Sequence, residues 1–228
     1  MTRKIRVTIF DYGAGNLHSL AKVLDVAGVE VVVECDPALA TRTDALVLPG
    51  VGAFTGAAER LAPGRDVMRQ AIVQGLPTLG ICLGMQLLFE KSEEGPGRGL
   101  GIIPGHVRRL KARRVPQIGW NQIDLNIDPA AEPHTKPLDT RAAPDEAGDE
   151  RVRGKRAGTR LPSIAYFANS YVCEPDTREM ITAYTTHETD RFASAVSIAN
   201  TIGVQFHPEK SSTTGVEFVH GFVREIRQ

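Results

Sequence analysis

Apolar and polar positions over the first ninety residues follow a repeated rhythm: a short apolar run, a glycine-bearing break, then a stretch with helical spacing. Ile5 to Phe10 reads as a strand that runs into Asp11-Tyr12-Gly13-Ala14-Gly15-Asn16, and a helical pattern follows over Leu17 to Ala27. Val29 to Val33 and Ala45 to Leu48 are apolar almost throughout, as expected of strands buried on both faces of a parallel sheet. The second of these ends in Pro49-Gly50-Val51-Gly52-Ala53-Phe54, and Ala57 to Gln74 then reads as a helix broken at Pro63-Gly64. Leu76 to Ile81 forms a last apolar run before Cys82, and helical spacing resumes through Phe89. Strands alternating with helices in this way predict an α/β protein with an open, mostly parallel sheet and right-handed crossovers.

Beyond residue 90 the rhythm changes. Ser92 to Gly99 is a loop, Gly105 to Leu110 leads into the basic run Arg108-Arg109-Leu110-Lys111-Ala112-Arg113-Arg114, and such a run is usually a solvated face. An acidic partner or a phosphorylated substrate is the alternative for it. Residues 126–160 are rich in Pro, Ala, Asp, Glu and Arg without an apolar period, and read as a surface insertion in a single domain spanning residues 1–228. Short strands return at Ile164 to Phe167, Tyr171 to Cys173, Ile181 to Thr185, Ala193 to Ile198 and Gly203 to Phe206. Val216 to Ile226 closes the chain as an amphipathic helix.

Composition narrows the function classes. Lysine plus arginine (27) balance aspartate plus glutamate (27), so overall charge offers no reason to expect nucleic acid as a partner. No apolar span approaches the ~20 residues of a membrane helix, and the N-terminal apolar stretch is too short for a signal peptide. Cys35, Cys82 and Cys173 are few, odd in number and widely spaced, which argues against a disulfide framework and for a reducing cytoplasm.

Most single cysteines are small core hydrophobes, and that reading applies to Cys82 until its neighbours are considered. A glycine on each side, Gly80 and Gly84, is a poor choice for a core strand but suits a sharp strand-to-helix elbow whose apex carries a nucleophile. A thiol there sits at the positive end of the following helix, which favours the reactive thiolate. Gly50-Val51-Gly52, at the end of an expected parallel strand, frees backbone N–H groups to hold a developing oxyanion, although a plain turn explains the glycines equally well. Near the far end, Gln205-Phe206-His207-Pro208-Glu209 sets a carboxylate two residues from a histidine. With Pro208 holding the segment extended, both side chains project to one side, so Glu209 fixes the His207 tautomer while the other ring nitrogen faces Cys82. The Gly-x-Gly of Gly13 and Gly15 lacks the third glycine of a dinucleotide fingerprint and reads as a tight turn beside a site.

Gly80-Ile81-Cys82-Leu83-Gly84-Met85-Gln86 together with Gln205 to Glu209 resembles the class I (triad) glutamine amidotransferase family. Asp11 to Asn16, Pro49 to Phe54 and Pro116-Gln117-Ile118-Gly119-Trp120-Asn121 are similar to the branch of that family made up of the glutaminase subunits of imidazole glycerol phosphate synthase, in histidine biosynthesis. The resemblance implies a flavodoxin-like sheet with an added antiparallel part, and glutamine hydrolysed through a cysteinyl thioester on Cys82, with His207 and Glu209 as its partners. It implies an oxyanion hole from Val51 and Leu83, L-glutamine held by Gly50, Gly52, Gln86, Glu94, Ser170 and Tyr171, and no metal or other cofactor. Ammonia would pass to a separate (β/α)₈-barrel cyclase subunit, docked near Asn16, Trp120, Tyr166 and Lys210, with the isolated subunit almost silent until the Val51 N–H turns inward. Trp120 as a core residue remains nearly as good a reading. One position departs from the family, which usually has histidine where Asn169 stands. The alternatives are a glutaminase serving another acceptor synthase, a non-catalytic subunit of the same fold, and a cysteine peptidase on a similar elbow.

Overall fold

In the computed structural model the described residues are 3–13, 15, 17–26, 28–126 and 159–227. Asn16 and residues 127–158 of the expected insertion lie outside them. The first half follows the predicted rhythm closely: β1 (Ile5–Phe10), α1 (Leu17–Leu24), β2 (Val29–Glu34), β3 (Ala45–Leu48), α2 (Phe54–Leu61), α3 (Arg65–Val73), β4 (Thr78–Ile81) and α4 (Leu83–Leu87). The second half adds β5 (Gly105–Arg109), β6 (Gln117–Gln122), β7 (Asp124–Leu125), β8 (Ile164–Asn169), β9 (Tyr171–Pro175), β10 (Ile181–His187), β11 (Asp190–Ile198), β12 (Thr201–Val204) and α5 (Ser212–Ile226).

Eight strands form one sheet in the order β2-β1-β3-β4-β12-β11-β10-β7. The β2-β1-β3-β4-β12 part is parallel, and β11, β10 and β7 continue it antiparallel. Two antiparallel ribbons, β5-β9 and β6-β8, stand beside the sheet. Alternate residues of the parallel strands face opposite sides: Ala45 and Val47 join one core cluster with α1 and α5, whereas Leu46 and Leu48 join the other with α2, α3 and α4. Coverage of both faces is what makes β3 apolar without alternation.

Several boundaries differ from the expectation. The helix expected over residues 57–74 begins earlier, at Phe54, and a 3₁₀ turn over Ala62–Gly64 divides it into two, because Pro63 cannot supply a helical N–H. The helix α1 stops at Leu24. The last strand ends at Val204, not Phe206: Gln205 and Phe206 turn out of the β4 pairing while Gln205 N–H still bonds to Ser194 O (2.9 Å). The strand β6 was not expected, its apolar pattern being interrupted by Gly119, which has φ +132°. Nor is the basic run wholly solvated. Arg108 is buried and forks onto Asp190 at 2.7 and 2.8 Å, since a guanidinium can enter a core only with a matched carboxylate.

Candidate active site

Cys82 is the residue on which the parallel sheet turns. It follows β4 directly, is buried, and has φ 49° and ψ −104°, a left-handed conformation that a side-chain-bearing residue adopts only when its surroundings impose it. Two things impose it here. Cys82 N–H donates to Val204 O at 2.7 Å, and the chain beyond the apex passes so close to β3 that a β-carbon on Gly84 would lie 2.0 Å from Leu48 O. The glycines read from the sequence as elbow residues therefore answer a backbone approach that no side chain permits. The helix that follows is only five residues long, so its dipole is a modest source of stabilisation for a charged sulfur.

His207 arrives beside it because β12 pairs in parallel with β4, Val204 against Ile81. The ring is fully buried, its main-chain N–H donates to Tyr166 O (2.8 Å), and Ser211 Oγ donates to His207 O (2.6 Å) while accepting from Tyr166 N–H (2.9 Å). Gly50 packs against both residues: Cys82 Cβ and His207 Cε1 each lie 3.1 Å from where a Gly50 β-carbon would sit. On its other side His207 Nδ1 meets Glu209 Oε1 at 2.9 Å. Pro208–Lys210 is a 3₁₀ turn, not the extended segment expected from the sequence, and Pro208 opens that turn as it does helices. Glu209 thus reaches the ring by curling back toward it. Burial disfavours the charged ring, yet hydrogen bonds to Cys82 and Glu209 and the negative charges of both overcome it, raising the His207 pKa from 6.5 to about 10. The ring therefore faces the sulfur as an imidazolium.

Around this pair the expected residues fall into three groups. Among the described residues neither Val51 nor Leu83 N–H has a hydrogen-bond acceptor, and both flank the apex through the Gly50–Gly52 turn and the start of α4. Glu94 Oε2 accepts the Phe54 N–H at 2.9 Å, tying the loop after α4 to the start of α2 immediately beyond that turn. Gln86 is buried, and its Nε2 donates to Tyr171 O (3.3 Å); Ser170 O accepts the Leu110 N–H (2.9 Å). Asn169, at the position that departs from the family pattern, is buried and donates Nδ2 to the same Tyr171 carbonyl at 3.2 Å, leaving Oδ1 unpartnered.

Trp120 is not a core residue. It is 52% exposed on β6, packs edge-on against Tyr166 of β8 at 6.2 Å between ring centroids, and shares its strand with Ile118, 66% exposed. Lys210 Nζ lies 6.0 Å from the Tyr166 ring centre. The strand β8 runs from this apolar face to the thiol: Ala168 O, two residues beyond Tyr166, is 4.0 Å from Cys82 Sγ. A cavity of about 820 Å³ opens elsewhere, between the basic loop Leu110–Arg114 and Glu188-Thr189, where Glu188 accepts the Arg113 N–H at 2.6 Å.

Two residues near the sulfur carried no expected role. Tyr12 is buried with its hydroxyl unpartnered, and burial, then the charges of Cys82 and Asp11, push its phenol pKa up. Gln205 Nε2 lies 3.5 Å from Cys82 Sγ. Its position was visible in the motif around His207, but the contact depends on the β12–β4 register, which no local pattern encodes.

The described residues contain no cluster of His, Cys, Asp and Glu suited to a metal ion, and no helix long and apolar enough to cross a membrane. Residues 8–226 match the family model described as glutamine amidotransferase class-I. The chain is 39% identical to the imidazole glycerol phosphate synthase subunit HisH of Pyrococcus furiosus over 220 residues, 96% of this chain and 98% of that one. It is likewise 39% identical to the protein of the same description from Synechococcus sp. (strain JA-3-3Ab), covering 98% and 95% of the two chains. Among solved structures, a glutamine amidotransferase superposes with a TM-score of 0.66 at 16% identity, covering 97% of this chain and 99% of that one. PurLQS from Thermotoga maritima superposes with a TM-score of 0.60 at 16% identity, covering 98% of each; at these identities the likeness concerns the fold alone.

Proposed function

The chain belongs to the class-I glutamine amidotransferases and, within them, to the HisH subunits of imidazole glycerol phosphate synthase, and on that premise we propose that its glutaminase chemistry runs on Cys82, His207 and Glu209. Its activity is that of the glutaminase subunit in histidine biosynthesis. The observation that carries the assignment of residues is the strained Cys82 beside the buried His207 ring, whose Nδ1 is held at 2.9 Å by the Glu209 carboxylate.

Cys82 Sγ attacks the side-chain amide carbon of glutamine, and the carbonyl oxygen takes up negative charge between the Val51 and Leu83 N–H groups, each donor worth about 3 kcal/mol in the transition state. His207 gives its proton to the departing nitrogen as the C–N bond breaks, releasing ammonia and leaving a thioester. Water then adds to the thioester carbon, its proton passing to His207, and the C–S bond breaks to release glutamate. Glu209 keeps the ring oriented throughout. Gln86, Glu94, Gly50, Gly52, Ser170 and Tyr171 hold the amino acid.

Ammonia lost to water would be protonated, so the site must deliver it to a second protein. The partner in this reading is a (β/α)₈-barrel cyclase subunit seated on the face of Ile118, Trp120, Tyr166 and Lys210, from which β8 runs to the thiol; Asn16 would join it from outside the described residues. The cytoplasm suits three free thiols. The test is reconstitution with a cyclase subunit and its nucleotide substrate. Cys82→Ala should abolish glutamine-dependent turnover while ammonium salts still support the cyclase, and glutamine-dependent turnover by the Cys82→Ala complex would overturn the assignment.

A further inference from the structure

We propose that Gln205 is a further catalytic residue of this site: its side-chain amide N–H is a fixed donor to the Cys82 sulfur, holding the charged nucleophile in place before attack and receiving it again as a leaving group. The proposal rests on the glutaminase reading above and adds to it a group that the cysteine, histidine and glutamate do not supply.

Gln205 Nε2 is 3.5 Å from Cys82 Sγ, a hydrogen-bonding distance for sulfur, and the residue is wholly inaccessible to solvent. Its main chain cannot drift, because Gln205 N–H is bonded to Ser194 O at 2.9 Å and the preceding Val204 O accepts from Cys82 N–H at 2.7 Å. The same register that brings His207 to the thiol therefore fixes the amide against it. The cost of this arrangement is visible at the other end of the side chain, where Oε1 is buried without a partner. A buried carboxamide that served only to fill space would be a poor choice over leucine or methionine, which leave no orphan oxygen. Turned over, the amide would set a second carbonyl oxygen beside a sulfur that already has Ala168 O at 4.0 Å, whereas the observed orientation presents an N–H to it.

The need for such a donor follows from the elbow. With only five residues in α4, the helix dipole supplies little at the sulfur, and the Gln205 amide at 3.5 Å adds a directed donor beside the neighbouring His207 ring. The imidazolium gives up its proton to the leaving nitrogen during acylation, but the amide does not titrate. When water adds to the thioester and the C–S bond breaks with its electron pair on sulfur, the Gln205 N–H is already in position.

The experiment uses the full chain in a Cys35→Ser background, which removes the exposed thiol, and follows iodoacetamide alkylation of Cys82 against pH by mass spectrometry. Gln205→Met keeps the volume and removes the donor. We expect the alkylation midpoint to rise by about one pH unit, the size of one lost hydrogen bond to a charged group. In the complex with a cyclase subunit, kcat for glutamine should fall roughly ten- to hundred-fold with KM within about twofold. Gln205→Asn, which retains the amide but withdraws it by one methylene, should shift the midpoint in the same direction, and it replaces the methionine variant if that one fails to fold by circular dichroism. An unchanged midpoint in the folded variant, or a loss carried by KM alone, would overturn the proposal. Because alkylation does not require glutamine turnover, an inactive parental complex would sink the glutaminase reading without deciding this one.

Discussion

Gly50→Ala offers a direct measure of how tightly the thiol and imidazole are set. A β-carbon at residue 50 would lie 2.9 Å from Ile81 O, 3.1 Å from Cys82 Cβ and 3.1 Å from His207 Cε1, where ordinary contact begins at 3.4 Å. The backbone at Gly50 is not in the left-handed region, so the change introduces a clash and no conformational strain of its own. Relieving it moves the elbow and the ring apart by a few tenths of an ångström on each side. Since a displacement of ~1 Å in a reacting pair costs about 10²-fold, the expected loss in kcat is roughly ten-fold or somewhat more, with about 1–3 kcal/mol of lost stability. Steady-state glutaminase kinetics of the complex, with ammonium-dependent cyclase activity as the internal control, would read this separation. A folded Gly50→Ala complex with parental kcat would refute the reading that Gly50 sets the spacing of nucleophile and base. Gly84→Ala is the contrasting case: its β-carbon would stand 2.0 Å from a β3 carbonyl oxygen, and the expected outcome is failure to fold.

Three further outcomes follow from charge and burial. The folded state binds the His207 proton more tightly than the unfolded chain does. That contribution to stability is complete below pH 6.5 and is lost as pH rises through about 10, so the melting temperature should fall across this window and fall less in Glu209→Gln and in Cys82→Ala; equal slopes in all three proteins would contradict it. Arg108→Ala leaves the Asp190 carboxylate buried with the Lys111 N–H (2.7 Å) as its remaining donor, and should cost about 3–5 kcal/mol in urea unfolding; a loss under ~1 kcal/mol would show that water replaces the guanidinium. Trp120→Ala should leave the melting temperature of the isolated chain unchanged and weaken cyclase binding by about 2 kcal/mol, roughly thirty-fold, in titration calorimetry; unaltered affinity would move the docking face elsewhere.

The parts of the molecule that were legible in the sequence are those where a local physical requirement leaves a local trace. A strand buried on both faces needs an unbroken apolar run, so β3 was legible with its observed limits, whereas β2, whose apolar run gave the same expectation, is the edge strand of the sheet and leaves Val33 49% exposed. The elbow needs glycine where backbones meet, so Cys82 stood out between Gly80 and Gly84. Where the requirement is long-range, the trace is missing. Arg108 looked like one more cation in a basic run, and only the fold discloses Asp190, 82 residues further on, as the reason it is buried. The strand β6 was hidden because its polar and apolar residues answer to β8 and to an exposed face. The expected Glu209 geometry reached the correct partner by the wrong route: proline was read as a guarantor of extension when it stands at the head of a 3₁₀ turn, and its fixed φ suits either.

The same distinction explains why Gln205 went unread although it lies two residues from His207. A histidine and a carboxylate two residues apart announce a local pairing, whereas an amide donating to sulfur 123 positions away depends on parallel pairing between β4 and β12 and on the residue at which each strand stops. Both strands stop where their last residues are directly paired, Ile81 against Val204, so the two residues leaving the sheet, Cys82 and Gln205, depart side by side. The turn after β12 then places His207 one step further along the same edge. One-residue slippage of β12 would reverse which side chains face the thiol, removing the amide and the imidazole together. The register is held by Ile202 and Val204, which belong to the core cluster beneath α1 and α5, so the catalytic edge is positioned by packing that never touches substrate.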